Sequence, residues 1–144
     1  MLRVSIHDKR FVATENPHGV SGPDTVFHYW VDGSAITGTY SGGRIRTGHL
    51  VGRVTSAETI ETLFQCLTTE GELLAGQSRG EVSEDAAGRA RLEFEWSWLT
   101  GDRSGGRSRY AELRETSGAP EQSNRAAVAE LESRVGERDR AVDA

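Results

Sequence analysis

The side chains able to do chemistry are few and scattered along this chain. Its four histidines, His7, His18, His28 and His49, fall at no HxH, HExxH or His-with-Cys spacing, so no metal site is expected. Cys66 is the only cysteine, which leaves neither an internal disulfide nor a multi-thiolate site within one chain. In the patterned run Ile60 to Thr68 it reads as a small buried hydrophobe. Two glycine strings, Ser41-Gly42-Gly43-Arg44 and Arg103-Ser104-Gly105-Gly106-Arg107, could cradle a phosphate only if each opened a helix. Each leads into a strand pattern instead and reads as a loop or bulge. There is no Gly-x-Ser-x-Gly elbow. An acetyl-coenzyme A loop of the Arg/Gln-x-x-Gly-x-Gly/Ala kind fails at its last position in both Gln77 to Val82 and Arg103 to Ser108. His28, His49, Glu95 and Asp102 remain as acid or base candidates, and no catalytic residue or cofactor is assigned.

Composition narrows the classes further. With 144 residues, 35% of them hydrophobic, the chain can build one core of ordinary size. A formal net charge of −5 lacks the basic excess that neutralises phosphates, so nucleic acid is not an expected partner. No stretch approaches the roughly 20 apolar residues of a membrane helix, and the N-terminus lacks the apolar run of a signal peptide. The expectation is a cytoplasmic protein with no membrane partner.

The elements that must position any site are short and period-2. Patterned segments run Arg10 to Thr14, Thr25 to Val31, Ala35 to Tyr40, Thr47 to Val54, Thr59 to Thr68, Glu72 to Val82, Arg89 to Leu99 and Arg107 to Glu115. Asp32-Gly33-Ser34, Glu70-Gly71 and Glu84 to Gly88 supply turns between them. Short turns imply antiparallel neighbours, and about eight such strands remove their edges by closing on themselves. The expected fold is all-β, a single antiparallel meander barrel over residues 9–115; a sandwich stays open on these residues alone. Alternation puts Leu92, Phe94, Trp96 and Trp98 on the inner face and Glu93 and Glu95 outside; in the second segment Phe27 and Tyr29 point inward. Beyond Thr116-Ser117-Gly118-Ala119-Pro120 the composition turns polar, and residues 116–144 read as a tail, disordered or marginally helical.

Two of these segments resemble the avidin and streptavidin family. Ala35-Ile36-Thr37-Gly38-Thr39-Tyr40 is similar to its Ala-Leu-Thr-Gly-Thr-Tyr strand, and Glu95-Trp96-Ser97-Trp98-Leu99-Thr100-Gly101 to its Gln-Trp-Leu-Leu-Thr-Ser-Gly strand. The run from Thr25 through Gly52 to Asp102 looks closer still to a family of small bacterial avidin-like proteins, over roughly residues 10–115. Members of that family often carry the label N-acetylglutamate synthase, an activity whose coenzyme A loop is not matched here. The resemblance implies an eight-stranded calycin-type barrel of avidin or lipocalin kind, with a ligand pocket at one mouth walled by Tyr40 and Trp96. The avidin pocket serine two residues beyond the tyrosine is Gly42 here. No Trp-Lys pair reaches over from a neighbouring subunit, and no aspartate matches the one that holds the ureido group. Tight biotin binding is therefore not expected.

Three readings stay open at this point. The first is a non-catalytic module binding a small molecule in the barrel mouth, with Phe27, Tyr29, Tyr40, Trp96 and Trp98 as walls and Asn16, Ser21 and Ser41 as polar partners. In the second the aromatics fill the barrel completely, and the protein acts as a structural or homo-oligomeric interaction protein. The third is a small enzyme using a buried acid or base beside the pocket.

Overall fold

The computed structural model describes residues 1–101 and 103–113. These form eight strands: β1 (Lys9–Glu15), β2 (Val26–Asp32), β3 (Ala35–Gly42), β4 (Ile45–Val54), β5 (Thr59–Thr68), β6 (Leu73–Glu84), β7 (Ala90–Trp98) and β8 (Gly105–Glu112). Each pairs antiparallel with the next, and β8 returns to β1 to close the barrel. The expected meander barrel is therefore the fold, and the sandwich is excluded. Strand ends differ from the sequence reading by at most three residues, and β5 matches it at both ends. The last expected strand reached Glu115, which, with the tail at 116–144, lies outside the described residues.

Turn chemistry fixes the register. Gly33 takes a φ of 62° in the two-residue loop joining β2 to β3, a conformation any side chain with a Cβ would strain. At the other end of β3 the glycine string is a bulge and turn: the pairing with β4 slips between Tyr40 and Gly42. Gly42 has a φ of 111°, and a Cβ on it would stand 2.2 Å from the Asp24 carbonyl oxygen.

The barrel interior is filled by setting rings against glycines. Along one cross-strand row Phe27 faces Tyr40, Tyr40 faces Gly48, and Gly48 faces Cys66. Along the next, Leu50 faces Phe64 and Phe64 faces Gly76. A Cβ on Gly48 would sit 2.5 Å from the Tyr40 ring, and one on Gly80 2.4 Å from the Phe94 ring. Alternating large and absent side chains is how a small barrel packs rings that could not stand side by side. Phe27 and Tyr40 stack at 4.7 Å, and Phe11 meets Tyr29 edge-on at 5.5 Å. Such pairs add about 0.5–1.5 kcal/mol each beyond the area they bury.

The end of the barrel carrying the β2–β3 hairpin is closed by a segment that the sequence reading left outside the domain. Ile6 is 0% exposed, and Leu2 and Val4 pack on the same core. The Arg3 N–H donates to the Ala57 carbonyl at 2.8 Å and the Asp8 N–H to the Tyr29 carbonyl at 2.8 Å, which anchors this plug without a strand. At the closing seam the buried Glu112 carboxylate accepts from the Ala90 N–H at 2.9 Å.

Candidate functional site

The opposite end holds a cavity. Its walls come from alternating inward positions on β2 to β8, and its roof from the β1–β2 loop. That loop is tied down by Thr25, fully buried, whose hydroxyl accepts from the Gly22 N–H at 3.1 Å and donates to the Gly42 carbonyl at 3.0 Å. Phe27, Tyr29, Tyr40, Trp96 and Trp98 all line the cavity, as do Asn16 and Ser21 from the roof. The space open to the centre of a water molecule is about 60 Å³, several times the roughly 10–15 Å³ that one water needs. The rings therefore do not fill the barrel completely at this end.

Ser41 is not brought to the cavity. It follows the inward Tyr40 by one residue, and period-2 alternation turns it to the outer face. Among the acid and base candidates, Glu95 lies outside the barrel beside Arg107 at 2.8 Å, and His49 is exposed on β4. His28 is also outside, 2.7 Å from Asp8 and stacked on Trp30 at 3.9 Å; its hydrogen bond holds the Asp8 carboxyl below the usual range. Asp102 lies outside the described residues.

Polar groups inside are arranged in two sets. Asn16 Nδ2 donates to the Ser21 carbonyl at 2.9 Å and to Ser21 Oγ at 2.8 Å; Ser21 Oγ is 3.3 Å from the Tyr110 hydroxyl. Thr62 and Ser78 share a hydrogen bond at 2.6 Å across the wall. These sets leave three buried polar atoms without an oxygen or nitrogen partner among the described residues: Asn16 Oδ1, Trp96 Nε1 and the Tyr40 hydroxyl, which has beside it only the weakly bonding Cys66 thiol. All three belong to residues that line this one cavity. A buried polar atom without a partner costs about 1–3 kcal/mol, so three around one space mark it as built to receive polar atoms from outside the chain. Their characters are fixed. The Ser21 carbonyl can only accept, so Asn16 must turn its NH₂ that way and present Oδ1 to the cavity; the indole N–H can only donate.

No carboxylate, amine, guanidinium or imidazole lines the cavity among the described residues. Burial pushes the phenols of Tyr29, Tyr40 and Tyr110 up from their ordinary range, and the Cys66 thiol beside Tyr40 likewise. All four are neutral at neutral pH. With its thiolate suppressed and its side chain buried, Cys66 is expected to react with iodoacetamide at pH 8 more than about tenfold slower in the folded protein than in guanidinium. Equal rates in a mass-spectrometric time course would show the thiol to be open.

Several lining residues had escaped the sequence reading. Ser108 and Tyr110 alternate with Arg107 and Arg109 on β8, and Thr62 sits among the inward Ile60, Phe64 and Cys66 of β5. The alternation carried that signal. Cys66 was read as inert filling, yet Gly48 removes the side chain between it and Tyr40 and so brings the two together.

A closed barrel with an aromatic-walled cavity that carries a few polar groups under a loop at one mouth defines a small-molecule-binding barrel. The chain belongs to the family described as Avidin-like protein, whose family model matches residues 4–113. No curated protein and no solved structure matches the chain.

Proposed function

We propose that this protein is a non-catalytic binding module whose ligand is small, uncharged and carries a hydrogen-bond donor beside an acceptor, as a carboxamide does. The observation that carries this reading is the convergence of the three unpartnered atoms on one cavity. Trp96 Nε1 calls for an acceptor, Asn16 Oδ1 for a donor, and the Tyr40 hydroxyl can serve either. Walls with no charged side chain oppose an ionised ligand, since a carboxylate would be desolvated there without a counter-charge. The neutrality of every titratable lining group speaks against acid–base chemistry inside the barrel.

Matched pairs of probes test this. Benzamide against benzoate and nicotinamide against nicotinate differ mainly in charge, and binding is read from quenching of tryptophan fluorescence. The amide of at least one pair is expected to bind about tenfold or more tighter than its acid, a difference of about 1.4 kcal/mol. Trp96→Phe, which removes the donor and keeps a ring, should weaken binding of the amide while leaving the barrel folded. Biotin, which lacks an aspartate partner here and brings a carboxylate, is expected to bind no tighter than ~1 μM. Acids that bind as well as their amides, or no response from any uncharged probe, would overturn the reading.

A further inference from the structure

Thr62 on β5 and Ser78 on β6 face each other in register, and both line the cavity. Thr62 is 6% exposed, and its hydroxyl lies 2.6 Å from that of Ser78. Its rotamer is held from the other side. Gly52 is the neighbour of Thr62 on β4, and a Cβ there would stand 2.9 Å from the Thr62 methyl, so the methyl occupies the space beside the glycine and the hydroxyl turns toward β6. The pair holds more donors than it uses. Two hydroxyls carry two O–H groups, the bond between them spends one, and neither has another acceptor among the described residues. One O–H is always left over. When Thr62 donates, it is that of Ser78, whose next neighbour across the ladder is Trp96 on β7. The indole N–H of Trp96 is also buried without a partner. Two unspent donors thus adjoin each other on this wall, whereas the unpartnered atom under the roof, Asn16 Oδ1, is an acceptor.

We propose that Ser78, positioned by Thr62, joins Trp96 in binding one carbonyl oxygen of the ligand, whose N–H group then faces Asn16 under the roof. The assignment rests on the binding role proposed for this cavity, and it narrows the ligand to a carboxamide or lactam held in one orientation. A carbonyl oxygen has two lone pairs near the plane of its group and accepts from both donors at once. A thiocarbonyl sulfur, larger and a weak acceptor, does not.

Titration calorimetry of benzamide against thiobenzamide, and of nicotinamide against thionicotinamide, tests this. Each pair keeps its ring and its N–H donors and changes the accepting atom. The wild type is expected to bind the amide of at least one pair about tenfold tighter than its thioamide, on the scale of one neutral hydrogen bond. Ser78→Ala should reduce that ratio to about threefold or less, with far-ultraviolet circular dichroism unchanged. Ser78→Gly, matching the Gly76 and Gly80 that flank it on the same inner face, should do the same and guards against a fault peculiar to the alanine variant. Thr62→Val keeps the branched shape and leaves the Ser78 O–H free to donate, so there the ratio should survive. An unchanged ratio in both Ser78 variants, with the amide still preferred to its acid, would overturn this assignment and leave the binding role of the cavity standing. Loss of the ratio in Thr62→Val would place the donor on Thr62 and overturn the role given to Ser78. If no amide binds at all, both fall together.

Discussion

Gly80→Ala should lower the melting temperature of the barrel by about 4–12 °C. The added methyl would stand 2.4 Å from the Phe94 ring and 3.0 Å from the Glu93 carbonyl oxygen, and neither can withdraw freely. Phe94 is buried within the core and packs edge-on against Tyr110 at 5.8 Å, while the Glu93 carbonyl belongs to the strand itself. Overpacking of this kind costs about 1–3 kcal/mol, and about 1 kcal/mol moves the midpoint of a domain this size by ~4 °C. The cause can be isolated by shrinking the ring. Phe94→Leu alone should destabilise, yet in the Gly80→Ala background it should cost less than alone, a coupling that a double-mutant cycle reads directly. Additive effects would mean that the glycine serves its own backbone and not its neighbour.

Tyr40→Phe should have the opposite sign. Among the described residues the hydroxyl has only the weakly bonding Cys66 thiol beside it, although the side chain is only 5% exposed. Removing it lifts a desolvation cost of about 1–3 kcal/mol and leaves the ring stack on Phe27 and the packing over Gly48 in place. The unliganded variant is expected to melt about 4 °C or more above the wild type, and to bind any amide probe more weakly. A residue that costs stability and serves binding is the signature of a site. A fall in melting temperature would show instead that the hydroxyl is satisfied inside the protein, and the cavity would lose one of its three claims to a ligand.

Most of the architecture was legible in the sequence because a barrel strand repeats every two residues and this chain keeps to that repeat. Leu92, Phe94, Trp96 and Trp98 declare a face without any knowledge of their neighbours, and Gly33, Gly71 and Gly88, all at positive φ, mark the hairpins between them. Seven of the eight expected site residues line the cavity, five of them on strands for the same reason and Asn16 and Ser21 from the β1–β2 loop. Ser41 does not, and the alternation that places Tyr40 inside already placed it outside. What could not be read was relation across strands. Which side chain faces which depends on the slips at Tyr40/Gly42 and Ile45/Thr47, and a slip of one residue exchanges inside for outside. The nearness of Tyr40 and Cys66, and the isolation of Trp96 Nε1, follow from that register and not from either residue alone. The plug at Ile6 carries the same repeat, with Leu2, Val4 and Ile6 alternating with Arg3, Ser5 and His7, but the run is short and pairs with no strand, and two backbone hydrogen bonds hold it there.

The pairing of several rings with a glycine on a neighbouring strand makes parts of the interior transposable. Trading the members of a pair, Phe64→Gly together with Gly76→Phe, keeps the sum of side-chain volumes and moves one ring a single strand around the circumference, where its Cβ stands 2.9 Å from the Ser97 carbonyl oxygen and the strand must give slightly. The hollow changes outline while the hydrogen-bonded wall keeps its register. Because successive residues of a strand look to opposite sides, such an exchange leaves the outward Leu63 and its cross-strand neighbour Gln77 untouched. The interior of the barrel and its outer surface are thus written on alternate letters of the same strands, and either can be revised without editing the other.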